Sequence, residues 1–213
     1  MHTNVTTIAR LAIAITLTAL FAFTSGCSDV EAESLETSQF GLMSRLQNLE
    51  DSAAIRDVMD CYGHGHDLIF FDLEGDRAEA IDVLRECFAE DVQTDVYFFG
   101  ADKPAAQLAS LQELVGFVAQ FAIDSGYASA RNIPGNHRIE FTGPTTARML
   151  SSTHAPHFLR APADAESPGH VDIVSARYEN EVALDDDDRW RTTRFVLRIE
   201  GFWRGTGINP LGQ

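Results

Sequence analysis

The sequence predicts an α+β domain, in which helices come first and long antiparallel strands follow. Between residues 40 and 122, apolar side chains recur at the three- to four-residue spacing of helices. From residue 137 onwards, long segments rich in β-forming residues are separated by turn sequences. Helices and strands that are segregated along the chain in this way are typical of an α+β fold with an antiparallel sheet.

Three helices are predicted in the first part of the chain. The first is expected to end at Gly63 and Gly65, because glycine is common at the left-handed C-terminal position of helices. A second helix is predicted from about Arg77 to Phe88 and a third over 106–122, with a strand between them at 94–99. The apolar stripe of the first helix consists of Leu46, Leu49, Ile55, Val58, Met59 and Tyr62.

Four further strands are predicted, in two hairpins. Residues 137–141 and 146–159 flank the turn TGPT, and residues 171–184 and 189–202 flank the turn DDDD. The segment 161–170, rich in proline and alanine, is expected to be the loop between the hairpins. Hairpins pair neighbouring strands in antiparallel fashion.

The last strand has two different faces. Phe195, Leu197 and Ile199 share one face and are expected to belong to the core, because successive strand residues point to opposite sides. The other face carries Arg194 and Arg198 among polar and apolar neighbours. A mixed face of this kind favours a homodimer interface.

The composition is that of a globular domain with an acidic surface. Of the 213 residues, 45% are apolar, which suffices for one sizeable core but not for two domains of usual size. The 32 acidic and 16 basic residues give a formal net charge of −16, which disfavours nucleic acid as a partner because phosphates are repelled. The sequence also lacks the glycine-rich loops that bind nucleotide phosphates.

The N-terminus is expected to be a bacterial export signal. An apolar run with only two threonine interruptions ends shortly before Ser-Gly-Cys, and it is too short to span a membrane. Residues 1–27 therefore resemble a lipoprotein signal with Cys27 as the lipidated residue; an ordinary secretory signal cut nearby is the alternative. An acidic tether (28–39), a domain (40–206) and a tail (207–213) are expected to follow. The lipid alone would hold the protein to the membrane of the cell envelope, facing the periplasm or the exterior.

Cys61 and Cys87 are predicted to form a disulfide. Export would place them in an oxidising compartment, and lipidation would leave them as the two remaining thiols of three. Both lie near the apolar stripes of the first two helices, which are expected to pack together. The alternative is two small buried side chains that do not touch.

Four segments follow one another in a characteristic order and spacing. They are LEDSAAIRDVMDCY (49–62), CFAEDVQTDV (87–96), RIEFTGPTTAR (138–148) and SARYENEVALDDDDRWRTTRF (175–195). Together they resemble the SnoaL-like branch of the nuclear transport factor 2-like superfamily, over about residues 45–203. The resemblance implies a cone of curved antiparallel sheet wrapped around the N-terminal helices, with an apolar pocket inside.

The resemblance also implies a cofactor-free site for proton transfer near the end of the first helix. Ketosteroid isomerase, which has this fold, pairs an aspartate base with a tyrosine donor. Tyr62 followed by Asp67 resembles the Tyr…Asp helix end of the family, so Asp67 is the expected base and Tyr62 the expected oxyanion donor. The apolar residues 68–71 would raise the pKa of Asp67. The alternative is that Tyr62 belongs to the core and Asp67 caps the next turn.

A second implied position departs from the family pattern. Active members commonly carry a histidine a few residues before the asparagine that opens the hairpin strand, and here Asn132 takes the place of that histidine. Asn132 donates hydrogen bonds but cannot relay a proton, so His137 and His154 are the expected substitutes; both are otherwise rim or surface residues. Asn132 and Tyr178 are expected to contact the ligand.

The pair His64 and His66 raises the alternative of a metal site. Candidate further ligands are Asp67, His137, His154 and His157. The family pattern implies neither a metal nor a cofactor. The expected function is therefore a dehydratase, isomerase or cyclase acting on an apolar small molecule. The alternatives are a non-catalytic ligand-binding or assembly lipoprotein, and a purely structural dimer.

Overall fold

The computed structural model describes residues 29–159 and 170–205, without the side chains of residues 29–38 and 40. The expected signal peptide with Cys27, most of the expected loop 161–170 and the C-terminal tail lie outside the described residues. No helix in the described part of the chain is both long and apolar enough to cross a membrane.

Two units make up the chain, Met1–Asn48 and Leu49–Gln213. The described residues of the first unit belong to one helix, which begins at Asp29 and continues into the second unit. The segment expected to be a flexible tether, 28–39, is therefore helical over nearly its whole length. Glutamate, alanine, leucine and glutamine, which are good helix formers, make up much of this segment.

The described residues of the second unit contain the rest of this helix, two further helices and seven strands. In chain order the elements are α1 (Asp29–Phe71), α2 (Ala78–Arg85), β1 (Phe88–Phe98), β2 (Ala106–Leu108), α3 (Leu111–Ser125), β3 (Tyr127–Ala130), β4 (Gly135–Gly143), β5 (Thr146–Leu159), β6 (Val171–Leu184) and β7 (Trp190–Gly205). The predicted hairpins are confirmed as β4–β5 and β6–β7.

All seven strands belong to one curled sheet, which confirms the α+β class. The strand order is β2-β1-β7-β6-β5-β3, and β4 also pairs with β5. β3 and β4 share one edge of β5 at its opposite ends. Every pair is antiparallel except β1–β7, which is parallel.

The core lies between the helices and the inner face of the sheet. Strand residues on the inner face are buried at every second position along β5 and β6. On β7, the expected core residues Phe195, Leu197 and Ile199 are buried, while Arg194 is exposed. The largest fully buried side chains include Ile55, Met59, Tyr62, Phe88, Leu111, Leu114 and Met149.

The expectation that Gly63 and Gly65 end the first helix is wrong, because α1 continues to Phe71. A Cβ atom at Gly63 would lie 2.6 Å from the backbone oxygen of Asn132, and one at Gly65 would lie 2.5 Å from Cγ of Leu84. Both glycines therefore allow neighbouring segments to approach the helix closely. Glycine is common both at helix ends and at such close contacts, so the sequence pattern alone wrongly predicted a helix end here.

Gly63→Ala is expected to lower the free energy of unfolding by about 2 kcal/mol, because the opposing atom is backbone and yields less than a side chain would. Gly116→Ala in α3 is the control, since no atom beyond the chain neighbours and the backbone of its own helix lies within 4 Å of an added Cβ there. The control should gain about 0.5–1 kcal/mol from the higher helix propensity of alanine. Urea unfolding measures both, and equal stability of the two variants would contradict the close approach at Gly63.

The third helix begins at Leu111, later than predicted, because Ser110 caps it. The Glu113 backbone N–H donates to Ser110 Oγ at 3.2 Å, and the Ala109 N–H donates to Glu113 Oε2 at 2.7 Å. This exchange resembles a capping box, which fixes where a helix starts. Residues 106–108 are left to form the short strand β2.

The expected disulfide between Cys61 and Cys87 is present, with a Cα–Cα distance of 6.2 Å. It joins α1 to the residue before β1 and spans a sequence separation of 26. In the chain-entropy account, closing a loop of this size stabilises the fold by about 3 kcal/mol. The bond also holds the turn of α1 that carries Tyr62.

Candidate functional site

A small cavity lies between α1, α3 and the inner face of the sheet. Its volume is about 40 Å³, enough for about one water molecule. Pockets that bind small molecules usually measure about 300–1,000 Å³, so this one is nearly filled by its own side chains. Among the described residues, no aspartate, glutamate, lysine or arginine lines it. The polar side chains in its wall are Tyr62, His66, Asn132, Thr153, His157 and Tyr178.

Regular helix and strand geometry brings these polar groups together. Tyr62 and His66 are one helical turn apart on α1 and share a face, with ring centroids 5.9 Å apart. On β5, Thr153 and His157 occupy inward positions of the two-residue period. Tyr178 occupies an inward position on β6, and its ring centroid is 5.5 Å from that of Tyr62.

His157 is a neutral, buried imidazole. Its Nδ1 lies 2.9 Å from the carbonyl oxygen of Ala155, which only accepts, so Nδ1 carries the proton and Nε2 remains the acceptor. Burial, helped by the neighbouring His66, lowers the pKa of His157 to about 4. The ring is therefore neutral at pH 7, with its single proton on Nδ1.

His66 stands beside His157, with ring centroids 5.9 Å apart. Its Nδ1 is buried and has no hydrogen-bond partner among the described residues. Buried polar atoms of this kind are usually paired. His66 Nδ1 instead lies 3.7 Å from Asp67 Oδ1, within ion-pair range but beyond hydrogen-bond length.

Tyr178 and Asn132 form a second polar pair in the wall. The Tyr178 hydroxyl donates a hydrogen bond to Asn132 Oδ1 at 3.1 Å. Burial raises the pKa of Tyr178 well above its ordinary value, and burial together with Tyr178 does the same for the pKa of Tyr62. Both hydroxyls therefore stay protonated and remain hydrogen-bond donors.

Asp67, the expected base, does not line the cavity. It is 8% exposed, and its oxygens accept hydrogen bonds from the Asn132 backbone N–H at 2.8 Å and the Arg131 guanidinium at 3.0 Å. Burial alone would raise the pKa of Asp67, but the nearby His66 ring (Nδ1 3.7 Å from Oδ1) and the two donors hold it below its ordinary value. The raised pKa expected from the sequence is therefore wrong.

This geometry favours Asp67 as an anchor over Asp67 as a base. Both carboxylate oxygens already accept hydrogen bonds, from the Asn132 backbone N–H and the Arg131 guanidinium, and the side chain does not line the cavity. Through the backbone of Asn132, Asp67 fixes the segment between β3 and β4. That segment in turn presents the Asn132 side chain to Tyr178.

The histidines expected to replace the family histidine also lie outside the cavity wall. His154 is exposed, and its Nδ1 lies 2.9 Å from Ser175 Oγ. His137 is partly buried, with Nδ1 2.8 Å from Ser151 Oγ, and burial lowers its pKa. Strand alternation places His154 on the opposite face of β5 from His157, which is why an imidazole reaches the cavity from a different position.

Sequence reasoning did not assign His66 and His157 to a proton-transfer site. The four-residue spacing from Tyr62 would have found His66, and the two-residue period of β5 would have found His157. His64 is exposed whereas His66 is buried, so the two do not face one metal ion. No group of three or more metal-binding side chains occurs in the described ranges.

The comparison with known families decides the relationship of this domain. Residues 47–196 match the family described as SnoaL-like domain, which is more than half of the chain. The chain belongs to the SnoaL-like family. The resemblance inferred from four segments is thereby confirmed. In this SnoaL-like domain, Asn132 and Tyr178 both line the small cavity, and their contact with a ligand stays a prediction.

Solved structures share the SnoaL-like fold at low sequence identity. The hexachlorocyclohexane dehydrochlorinase LinA-type3 from Novosphingobium barchaimii LL02 is 16% identical, with a TM-score of 0.56 over 77% of this chain and 96% of that chain. A Type2 form of LinA is 17% identical, with a TM-score of 0.57 over 79% and 99%. The Kfla4162 protein from Kribbella flavida is 17% identical, with a TM-score of 0.54 over 73% and 95%. No curated protein matches the chain.

Proposed function

We propose that this SnoaL-like domain is a cofactor-free enzyme, a lyase or isomerase, that moves a proton on a neutral, apolar small molecule inside the cone. The observation that carries the proposal is the cavity wall, where the imidazoles of His66 and His157 occur together with the Tyr178–Asn132 pair. A wall without carboxylate, lysine or arginine side chains suits a neutral ligand, because a charged one would lose its hydration without compensation. Two structures of this fold are dehydrochlorinases, which supports a lyase.

His157 is the proposed base. Its Nε2 lone pair accepts a proton from a ligand carbon, and the electrons of the broken C–H bond form a new double bond. In a lyase the leaving group then departs with its electron pair; in an isomerase an existing double bond shifts and the proton returns at another carbon. The hydrogen bond from Nδ1 to Ala155 stabilises the ring as it becomes an imidazolium.

The hydroxyls of Tyr62 and Tyr178 are the proposed donors. Negative charge that develops on a ligand oxygen or leaving group is stabilised by fixed donors in a site that excludes water. The Asn132 side chain orients the Tyr178 hydroxyl. Tyr62 keeps the role that the sequence assigned to it, while the base moves from Asp67 to His157.

A ligand larger than a water molecule requires the cavity to widen. Phe117 and Phe121 of α3 line the cavity and are only partly buried. Phe121 also contacts Phe98 and Tyr127, with ring centroids 6.2 and 6.0 Å away, whereas the structure records no such ring contact for Phe117 among the described residues. We therefore expect rotation of Phe117 to admit the ligand.

Three classes of neutral cyclic compound test the proposal. Chlorinated cyclohexanes lose hydrogen chloride, cyclic β-hydroxy ketones lose water, and β,γ-unsaturated ketones shift a double bond. Each is incubated with the full chain, without added metal or cofactor, and the products are analysed by mass spectrometry. Catalysed conversion in at least one class is expected. Binding without conversion in all three classes would sink the enzymatic proposal.

A second candidate is a non-catalytic ligand-binding or assembly module of the same fold. It is favoured by the engagement of Asp67 with Arg131 and by asparagine at the position of the family histidine. In that case the small cavity is either a gap in the packing of the core or a site where a ligand binds reversibly without being changed. The two candidates differ in whether a bound compound is changed.

We also propose a homodimer that forms through the outer face of the sheet. There Arg194 pairs with Asp95 at 2.8 Å, and Arg198 pairs with Glu179 at 2.8 Å while lying 4.1 Å from the centroid of Tyr97. A groove of about 540 Å³ runs over this face. Interspersed opposite charges are self-complementary when a face meets its own copy across a two-fold axis.

Light scattering at micromolar concentration is expected to give twice the monomer mass. Arg198→Glu should shift the protein towards the monomer, because it places like charges against each other at the interface. Arg85→Glu, on α2 and away from this face, should leave the mass unchanged. A monomeric native protein would remove the proposal.

Export as a lipid-anchored protein of the cell envelope is a further proposal, supported by the sequence of residues 1–27. Mass spectrometry of protein extracted from membranes is expected to show an acyl modification on Cys27. A soluble form that begins elsewhere would overturn it.

A further inference from the structure

The disulfide lies in the floor of a surface groove of about 330 Å³, which both of its cysteines help to line. The two cysteines differ in exposure, since Cys61 is partly buried and Cys87 is only 2% exposed. We propose that this bond is a thiol–disulfide exchange site, attacked at the sulfur of Cys61 by a thiol compound that carries no negative charge apart from its reacting sulfur. This inference is independent of the proposed proton-transfer function.

The exchange takes two balanced steps. An external thiolate forms a bond to Cys61 Sγ, the Cys61–Cys87 bond breaks, and Cys87 Sγ leaves with the electron pair and takes up a proton. A second external thiolate then attacks the sulfur of the first reagent and releases Cys61. The protein disulfide is reduced to two thiols, and two external thiols are oxidised to one disulfide.

The structure already provides a hydrogen-bond acceptor for the reduced cysteines. The carbonyl oxygen of Val83 lies 3.3 Å from Cys61 Sγ and 3.9 Å from Cys87 Sγ. This oxygen already accepts the Glu86 backbone N–H at 3.1 Å and has one lone pair left, so it provides an acceptor for one of the two thiols, with Cys61 the nearer. We expect the reduced domain to stay folded at 25 °C, with a lower melting temperature.

The charge of the groove selects the thiol. Its rim carries the carboxylates of Asp57, Glu86 and Asp188 against the single guanidinium of Arg189, which pairs with Glu86. An anionic thiol is repelled by this rim, whereas a positively charged one is attracted. The fitting partner is a dithiol protein whose reactive cysteine is bordered by basic or uncharged surface.

A matched pair of single-cysteine variants tests the direction of attack. Both are made in the full chain with Cys27→Ser, so that Cys87→Ser leaves only Cys61 and Cys61→Ser leaves only Cys87. Uncharged dithiodipyridine should react with Cys61 about 10-fold faster than with Cys87, since access governs thiol reactivity. Circular dichroism shows whether each variant is folded. Equal rates, or a faster Cys87, would overturn the proposal.

A charge series of small thiols tests the selection and does not depend on those variants. The Cys27→Ser chain, with its disulfide intact, is treated with cysteamine, 2-mercaptoethanol or mercaptoacetate, and each rate is divided by that of an uncharged reference disulfide. The normalised rate should be highest for cysteamine and lowest for mercaptoacetate, with a difference of about 3-fold or more. Added salt should reduce this difference, because it screens the charges of the rim. Asp57→Asn should also reduce the rate difference between cysteamine and mercaptoacetate, whereas Asp124→Asn on α3 should leave it unchanged. A charge-independent rate, or unfolding on reduction at 25 °C, would contradict the proposal.

Discussion

Replacing His157 with asparagine lowers the rate of proton transfer by about 100- to 10,000-fold, the usual contribution of a general base. The asparagine amide reproduces the position of Nδ1 and keeps a donor for the Ala155 carbonyl, but it provides no basic nitrogen. The measurement is the turnover of whichever neutral compound the native chain converts. His154→Asn is the matched control, because His154 is exposed on the other face of the same strand.

The same substitution should also change how the free energy of unfolding depends on pH, which can be measured without a substrate. The pKa of His157 is about 4 in the folded protein and about 6.5 when the chain unfolds, so the unfolded state binds more protons between these values. Stability is fully present above about pH 6.5 and is lost as the pH falls to about 4, by about 3 kcal/mol for this group. Urea unfolding at pH 7 and pH 4.5 should show a smaller loss in His157→Asn. An unchanged loss would mean that His157 is not a buried neutral ring.

Asp67→Asn lowers the free energy of unfolding by about 2–3 kcal/mol, because an amide replaces a carboxylate that accepts two hydrogen bonds in a buried position. One of its donors would then meet an NH₂ group. Thermal and urea unfolding measure the loss. Arg131→Gln is the control and should cost less than about 1 kcal/mol, since the Arg131 side chain is more than half exposed.

The opposite outcome for Asp67 would be equally informative. If Asp67→Asn keeps full stability and abolishes turnover, the carboxylate is the base that the family resemblance implied, and the anchoring role is wrong. If Asp67→Asn loses both stability and turnover, the active site depends on the position of the Asn132 segment. In that case Tyr178→Phe, which removes only the hydroxyl that binds Asn132, separates the two effects.

The four strands of the two hairpins could be predicted because their signals are local, whereas the short strands β2 and β3 were not predicted. The turns TGPT and DDDD fix the two hairpins, and β5 and β6 were predicted with the bounds that the structure gives them. Helix ends were less accessible, because Gly63 and Gly65 give the same sequence signal whether they cap a helix or admit a neighbour. What they admit, Asn132 and Leu84, lies far away in the sequence.

The site was predicted in part for the same reason. Tyr62, Asn132 and Tyr178, which were chosen through a resemblance that carries long-range information, line one cavity, and their roles there stay predictions. The role of Asp67 depends on a partner 64 residues away, Arg131, which no local pattern reveals. His157 was accessible from strand alternation, but only once the register of β5 was known.

The parallel pairing of β1 with β7 has a consequence for how the chain acquires its fold. β1 is synthesised early, and its partner β7 is made about a hundred residues later. Most hydrogen-bonding groups on the β7 side of β1 therefore have no strand to pair with during synthesis. Until then the three residues of β2 are its strand neighbours within the described sheet. Nascent chains that stop before Trp190 would expose unpaired edges of both β1 and β6 and be prone to aggregate. Pairing of β7 therefore acts as the closing step for this sheet, which cannot form until β7 has been synthesised.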